Sequence, residues 1–107
     1  MVYTTEELKQ KIMPIARKYN IPAVYLFGSY ARGDATEASD VDILFQREGS
    51  AIRGMMIGAL YEDLRESLEK NLDLVTTETL AQKNTLERTP WFVENLLRER
   101  RLLYAEQ

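Results

Sequence analysis

Two aspartates one residue apart, Asp40 and Asp42, are the side chains of this sequence best suited to carry chemistry. They open an apolar segment that ends at Phe45 and has the composition of a buried strand. Alternate strand residues share a face with α-carbons roughly 6.6 Å apart, so both carboxylates can bind one hard cation. Magnesium suits such a site because it takes oxygen ligands and often uses one or two carboxylates with substrate phosphates. An isolated Asp-x-Asp pair also occurs as two solvated acids on an exposed strand, so the pattern needs support from elsewhere.

That support comes from a third acid, Asp73, which lies inside the apolar segment Leu72–Thr76. A charge in the middle of an apolar strand is unusual unless another group pairs with it. The chain has no histidine and no cysteine, which excludes histidine-based triads, thiolate nucleophiles and zinc–thiolate sites. Three carboxylates without nitrogen or sulfur ligands indicate an all-oxygen site for a hard metal ion.

The dipeptide Gly28-Ser29 joins the apolar run Ala23–Phe27 to a short segment predicted to begin a helix, Tyr30-Ala31-Arg32. A turn of this kind offers backbone amides and a hydroxyl to an anion. It also occurs as a plain strand-to-helix turn in which the serine caps the helix. Arg32 has two interpretations as well, a phosphate contact or an ion pair with an acid. The sequence leaves both pairs of alternatives open.

The combination of Gly28-Ser29, Asp40-x-Asp42 and the later Asp73 resembles the signature of polymerase-beta-like nucleotidyltransferases. Residues 26–33 are similar to the minimal nucleotidyltransferases, which include the antitoxin partners of HEPN ribonuclease toxins. The resemblance implies that Asp40, Asp42 and Asp73 bind magnesium and carry catalysis, with Asp73 helping to activate the attacking hydroxyl. It also implies that Gly28 and Ser29 hold the triphosphate of the nucleotide. Arg32, whose phosphate contact is one of its two interpretations, is the third candidate for nucleotide binding.

The same resemblance implies a function, the transfer of AMP from ATP to a hydroxyl of another protein. The acceptor is expected to be a tyrosine of a HEPN-type toxin, so that the chain is an antitoxin that works by catalysis in a complex with its partner. A short chain has little space for a second substrate pocket, which favours an acceptor presented by another protein. Two alternatives stay open: an antitoxin that neutralises its partner by binding alone, and a transferase that modifies an aminoglycoside-type small molecule.

Length and charge restrict the other function classes. The 107 residues predict a single domain over residues 1–107. The net charge of −3 argues against direct nucleic-acid binding, which needs a positive surface. No apolar run approaches the roughly 20 residues of a membrane span, and the N-terminus lacks the features of a signal peptide, so a cytoplasmic protein is expected.

The elements that must position these side chains follow from hydrophobic periodicity. The pattern predicts helices over residues 5–20, 51–69, 78–87 and 90–102, with a bend at Pro14, and strands over residues 23–27, 40–45 and 72–76. Helices and strands mixed in one small domain predict an α+β protein in which helices pack on one small mixed sheet, and the resemblance implies that this is the nucleotidyltransferase fold.

Several residues outside the motifs have structural interpretations. Met55 and Met56 are expected to fill the core at the start of the second long helix. The aromatic and apolar residues of the last helix, Trp91, Phe92 and Leu97, are expected to complete the core, with a protein interface as the alternative for the two aromatic side chains. The basic residues Arg98, Arg100 and Arg101 are expected to end that helix, where cations interact favourably with the helix dipole.

Overall fold

The structure is a computed structural model that describes residues 2–82 and 87–106. Its elements, in chain order, are α1 (Thr5–Lys18), β1 (Ala23–Phe27), α2 (Gly28–Arg32), β2 (Val41–Phe45), α3 (Met56–Leu68), β3 (Leu72–Thr76), α4 (Thr77–Ala81), α5 (Pro90–Glu99) and β4 (Arg101–Ala105).

The strands form one four-stranded sheet in the order β3-β2-β1-β4. β1 is antiparallel to both of its neighbours, β2 and β4, whereas β2 and β3 are parallel. The parallel pair needs a crossover, and α3 supplies it. This architecture confirms the predicted α+β class with a small mixed sheet.

The first long helix starts where its capping residues predict. The Thr4 hydroxyl accepts from the Glu7 backbone N–H at 3.1 Å, and the Glu7 carboxylate accepts from the Thr4 backbone N–H at 2.8 Å. This reciprocal capping box satisfies two backbone donors that the helix leaves unpaired. Pro14 lies inside the helix at an exposed position, and α1 continues past it to Lys18. The predicted helix is therefore confirmed, two residues shorter than expected.

The sheet carries helices on both faces because its strand residues alternate between two clusters of buried side chains. α1 and α3 cover one face, where Leu8, Ile12, Leu60 and Leu64 pack with Ile43 and other residues of β1 and β2. α4 and α5 cover the other face through Leu80, Val93 and Leu96, which pack with Phe27 and Leu44. Alternation along β2 thus sends Asp42 to the face of α5, the same side as Leu44.

The C-terminal region differs from the prediction of one helix over residues 90–102. Helix α5 ends at Glu99, and Arg101–Ala105 form the edge strand β4 beside β1. Arg98 lies in the last helical turn, whereas Arg100 is the C-cap residue and Arg101 belongs to the strand. The interpretation of the arginines as residues of the helix end therefore holds for Arg98 and Arg100 and is wrong for Arg101. The sequence of a short apolar run does not distinguish a strand from a helix, and here hydrogen-bond pairing with β1 makes residues 101–105 a strand.

The expected core role of the last helix's large side chains is also wrong. Trp91, Phe92 and Leu97 are 64%, 37% and 46% exposed. Val93 and Leu96, three residues apart, are the side chains that α5 buries against the sheet. A helix of ten residues has one such stripe, and the exposed three fall outside it.

Two further boundaries need correction. The helix predicted over residues 51–69 begins at Met56, so Met55 precedes it and is 94% exposed, and Met56 is 38% exposed. Neither methionine fills the core, because the buried side of α3 is formed by Leu60, Leu64 and Leu68, which lie further along the helix.

The helix predicted over residues 78–87 is observed as α4, which ends at Ala81, and residues 83–86 of that prediction lie outside the described residues.

Because side chains are buried on both faces of the sheet, replacing a buried leucine should cost much more stability than replacing an exposed leucine of a neighbouring strand. Leu26 in β1 is fully buried, and Leu26→Ala is expected to lower the free energy of unfolding by about 2–5 kcal/mol. Leu102 in β4 is 58% exposed, and Leu102→Ala is expected to change it by about 0.5 kcal/mol or less. Urea denaturation of both variants measures the difference, and equal losses would contradict the described core.

Candidate active site

The predicted acids meet at one end of the parallel strand pair. Asp42 and Asp73 are direct partners in the register of β2 and β3. Both alternate with residues that pack toward α1 and α3, so both carboxylates lie on the face that carries α5. Asp40 lies one residue before β2 and is exposed. Strand pairing therefore brings Asp42 and Asp73 together, and Asp40 borders them.

The turn after β1 approaches the same acids. Phe27 pairs with Asp42 across the antiparallel strands, and Gly28 follows it with φ of +67°. A Cβ built on Gly28 overlaps the Asp42 Oδ2 and lies 3.0 Å from its Cγ. Glycine is needed here for two reasons, the left-handed backbone and the contact with the carboxylate.

Helix α2 begins at this turn, and no side chain among residues 2–82 and 87–106 caps it. Phe27 occupies the N-cap position, so the alternative in which Ser29 caps the helix is wrong. Ser29 lies within the first turn, is half-buried and faces the same space as Asp42. The backbone N–H groups of an uncapped first turn and the Ser29 hydroxyl are the donors that a phosphate group accepts from.

Arg32, at the end of α2, forms ion pairs with acids outside the predicted metal site. Its Nε lies 3.2 Å from the Asp34 Oδ2, and its Nη1 lies 3.3 Å from the Glu99 Oε2 on α5. The side chain is 45% exposed and lines the space in front of Ser29. Exposed pairs of this kind contribute little stability, so a phosphate can compete for the guanidinium.

The electrostatic environment makes Asp42 difficult to ionise. Partial burial, followed by the nearby charges of Asp73 and Asp40, raises the pKa of Asp42 from 3.8 to about 6, and Arg32 opposes the shift. A carboxylate that resists ionisation next to other acids gains free energy when a cation joins them.

The carboxylates fit a magnesium ion that phosphate oxygens of a bound ligand would also coordinate. All candidate ligands are carboxylate oxygens, which suit a hard cation. Within residues 2–82 and 87–106, no three acidic side chains form a ready-made metal cluster. Asp42 and Asp73, with Asp40 beside them, match the magnesium sites in which one or two carboxylates hold the ion together with substrate phosphates.

A cleft of about 650 Å³ connects these features. One wall carries Gly28, Ser29, Asp42 and Asp73, and the other is the exposed side of α5 with Trp91, Phe92, Asn95 and Glu99. Grooves of about 710 and 780 Å³ lie elsewhere on the surface, but neither contains Asp42 or Asp73. Sequence reasoning missed the second wall, although Trp91, Asn95 and Glu99 recur every four residues and so share one side of a helix.

Comparison with known proteins places this geometry in a family. Residues 10–107 match the family described as polymerase beta, nucleotidyltransferase. The chain belongs to this nucleotidyltransferase family. The turn Gly28-Ser29, the pair Asp40 and Asp42, and Asp73 all lie within the matched residues, as the resemblance of the motifs predicts.

Individual relatives agree with the assignment. A candidate protein adenylyltransferase of Methanocaldococcus jannaschii is 37% identical over 75 residues, which cover 69% of this nucleotidyltransferase and 78% of the relative. A structure described as a candidate minimal nucleotidyltransferase is 29% identical, with a TM-score of 0.65 and coverage of 92% of this chain and 95% of that one. The fold is also shared with the complex of the tri-AMPylated Shewanella oneidensis HEPN toxin and its MNT antitoxin, at 20% identity, a TM-score of 0.63 and coverage of 97% and 75%.

The contact between Gly28 and Asp42 predicts a specific penalty for a side chain at position 28. Gly28→Ala and Gly33→Ala both force alanine into a left-handed backbone, but a Cβ at Gly33 meets nothing within 4 Å. Gly28→Ala is therefore expected to destabilise the nucleotidyltransferase more than Gly33→Ala in thermal unfolding. Adding Asp42→Ala removes the overlapping carboxylate and should recover much of the difference. Equal losses for both single variants would show that the contact is unimportant.

The raised pKa of Asp42 predicts how stability depends on pH. Because the folded chain holds this proton more tightly than the unfolded chain, stability is full below about pH 4 and declines as the pH rises through about 6. Asp42→Asn removes the ionisation, so at pH 7 in a metal chelator the variant should melt at a higher temperature than the wild type. The gain should shrink toward pH 4.

Asp63 provides a control, because its pKa is shifted in the direction opposite to that of Asp42. Hydrogen bonds from Tyr19 and Lys18 lower the pKa of Asp63, so its contribution to stability is present above the ordinary pKa and is lost as the pH falls. Asp63→Asn should therefore lower the melting temperature at pH 7. An Asp42→Asn variant that melts below the wild type at pH 7 would contradict the electrostatic description of the site.

Proposed function

We propose that this nucleotidyltransferase moves AMP from ATP to a hydroxyl of a partner protein, a tyrosine of a HEPN-type toxin, and thereby acts as its antitoxin. The observation that carries the proposal is the placement of Asp42 and Asp73 as direct strand partners, opposite the Gly28 turn, in one open cleft. The relatives named as candidate protein adenylyltransferases support the choice of donor and of acceptor class.

The proposed roles follow the positions of the side chains in the cleft. Gly28 and Ser29 donate hydrogen bonds to the triphosphate, and Arg32 exchanges its partners Asp34 and Glu99 for a phosphate oxygen. Asp42 and Asp73, with Asp40, hold magnesium. When bound, magnesium neutralises the charge that develops on the phosphate oxygens during transfer.

The transfer itself is a substitution at phosphorus. The acceptor oxygen forms a bond to the α-phosphorus of ATP, the bond from that phosphorus to the bridging oxygen breaks, and pyrophosphate leaves with the bonding electrons. The proton of the acceptor hydroxyl passes to the Asp73 carboxylate, which faces the cleft. Phosphoryl and nucleotidyl transfer depend on positioning and charge stabilisation, which a chain without histidine or cysteine supplies with carboxylates alone.

A protein acceptor agrees with the shape of the site. Asp73 and Asp40 are exposed at the mouth of the cleft, so an extended segment of another protein reaches them without entering the domain. The Shewanella oneidensis complex contains an AMPylated HEPN toxin with an MNT antitoxin and shares the fold of this chain, which supports this partner class for the present chain.

No helix in the described part of the chain is long and apolar enough to cross a membrane.

The test is AMP transfer to a HEPN-type partner in the presence of ATP and magnesium. Mass spectrometry should find AMP on a partner tyrosine with the wild-type chain, and none after Asp42→Asn or in a chelator, since losing a metal ligand costs orders of magnitude in rate. Asp63→Asn changes an acid bound to Tyr19 and Lys18, outside the cleft, and should leave transfer unchanged.

Two outcomes separate the alternatives. If Asp42→Asn silences the partner as well as the wild type does and no adduct forms, neutralisation by binding alone is correct. If labelled AMP appears on an aminoglycoside but not on the partner, the enzyme modifies small molecules.

A further inference from the structure

Trp91 has an unusual environment for a large aromatic side chain. It is the single tryptophan of the sequence, it is 64% exposed, and it nevertheless lines the cleft that contains Asp42 and Asp73. Phe92 meets it in a T-shaped contact, with ring centroids 6.3 Å apart and planes at 85°. A T-shaped contact covers at most one face of the indole, so a flat surface is left for another group.

The helix that carries Trp91 is held firmly against the sheet. Val93 and Leu96 are buried with Phe27 and Leu44, and Glu99 binds Arg32 on α2 at 3.3 Å. Trp91 therefore has a defined position relative to the Gly28 turn, because Gly28 directly follows Phe27. A side chain on a rigid element, already exposed in the free protein, binds a flat ligand without a large ordering cost.

The two walls of the cleft have complementary chemistry. One wall offers carboxylates for a cation and the Gly28-Ser29 turn for phosphate, and the other offers two aromatic rings. A ligand that satisfies both walls has a phosphate chain with a bound cation and a flat heteroaromatic group. A volume of about 650 Å³ is within the range of clefts that hold small ligands.

We infer that Trp91, supported by Phe92, is the stacking surface for the nucleobase of the bound nucleotide. Asn95 lies one helical turn beyond Trp91 and lines the same cleft, so its carboxamide is the hydrogen-bonding group next to the stacked base. The inference rests on the proposed function, because it assigns the base of the nucleotide whose phosphates that proposal places at Gly28 and Ser29. It adds positioning residues that come from the C-terminal helix and not from the sequence motifs.

Trp91 is its own reporter, because the chain contains no other tryptophan. The probes are inorganic tripolyphosphate, which has no base, and an ATP analogue with a methylene bridge between the α and β phosphorus atoms, which cannot undergo transfer. With magnesium present, the ATP analogue should quench the indole fluorescence of the wild-type chain, and saturating tripolyphosphate should leave it nearly unchanged.

Variants measured by calorimetry complete the test. Trp91→Leu should weaken binding of the ATP analogue roughly tenfold or more, as expected for loss of one base–aromatic stack, and should leave binding of tripolyphosphate unchanged. Trp91→Tyr retains a stacking ring and should restore most of the affinity. Met55→Leu is a matched change at an exposed apolar side chain outside the cleft and should have no effect on either probe.

The possible failures are distinguishable. If the wild type binds both probes and Trp91→Leu binds the ATP analogue equally well, the stacking role is wrong and the nucleotide site stands. If Trp91→Leu weakens both probes equally, Trp91 only supports the fold and the inference is wrong. If unchanged nucleotide affinity accompanies weaker transfer to the HEPN-type partner, Trp91 contacts the acceptor instead. If the wild type binds neither probe, the proposed function and the inference both fail.

Discussion

The electrostatic repulsion between carboxylates at the end of β2 and β3 is the constraint around which this structure is arranged. Parallel pairing makes Asp42 and Asp73 neighbours, and partial burial raises the pKa of Asp42 to about 6. An arrangement that disfavours its own charged state persists only when the rest of the fold holds it in place. Here the fully buried residues of β2, Val41 and Leu44, anchor the strand between two layers of helices.

The same constraint explains the residues next to the acids. Gly28 is required because its missing side chain leaves space for the Asp42 carboxylate, and the left-handed backbone there turns the chain from β1 into α2. Arg32 is kept by Asp34 and Glu99 at the rim, where its charge partly offsets that of the acids. The glycine, the arginine and the acids thus form one electrostatic unit, although they come from three different elements.

The sequence predicts the cleft wall that carries Asp42 and Asp73 much better than the facing wall, which is formed by α5. β1, β2 and β3 are contiguous apolar runs, so the predicted strand bounds agree with the structure to within a residue. The acids stand out in the sequence because charge inside such runs is unusual, and the structure brings Asp42 and Asp73 together. Arg101–Ala105 form a strand only because β1 offers a free edge, and this pairing is not encoded locally. Likewise, Trp91 is exposed because Val93 and Leu96 define the buried side of α5, which depends on how the helix meets the sheet.

The short connection between α5 and β4 has a mechanical consequence. Arg100 alone separates the last residue of the helix from the first residue of the strand, and its guanidinium stacks over the Tyr25 ring of β1 at 4.6 Å. A hinge needs several backbone torsions that can change freely, and a single linking residue between a helix and a hydrogen-bonded strand does not supply them. The outer wall of the cleft is therefore tied at the C-terminal end of α5 to the edge of the sheet, so that end of the helix cannot swing away unless β4 leaves β1.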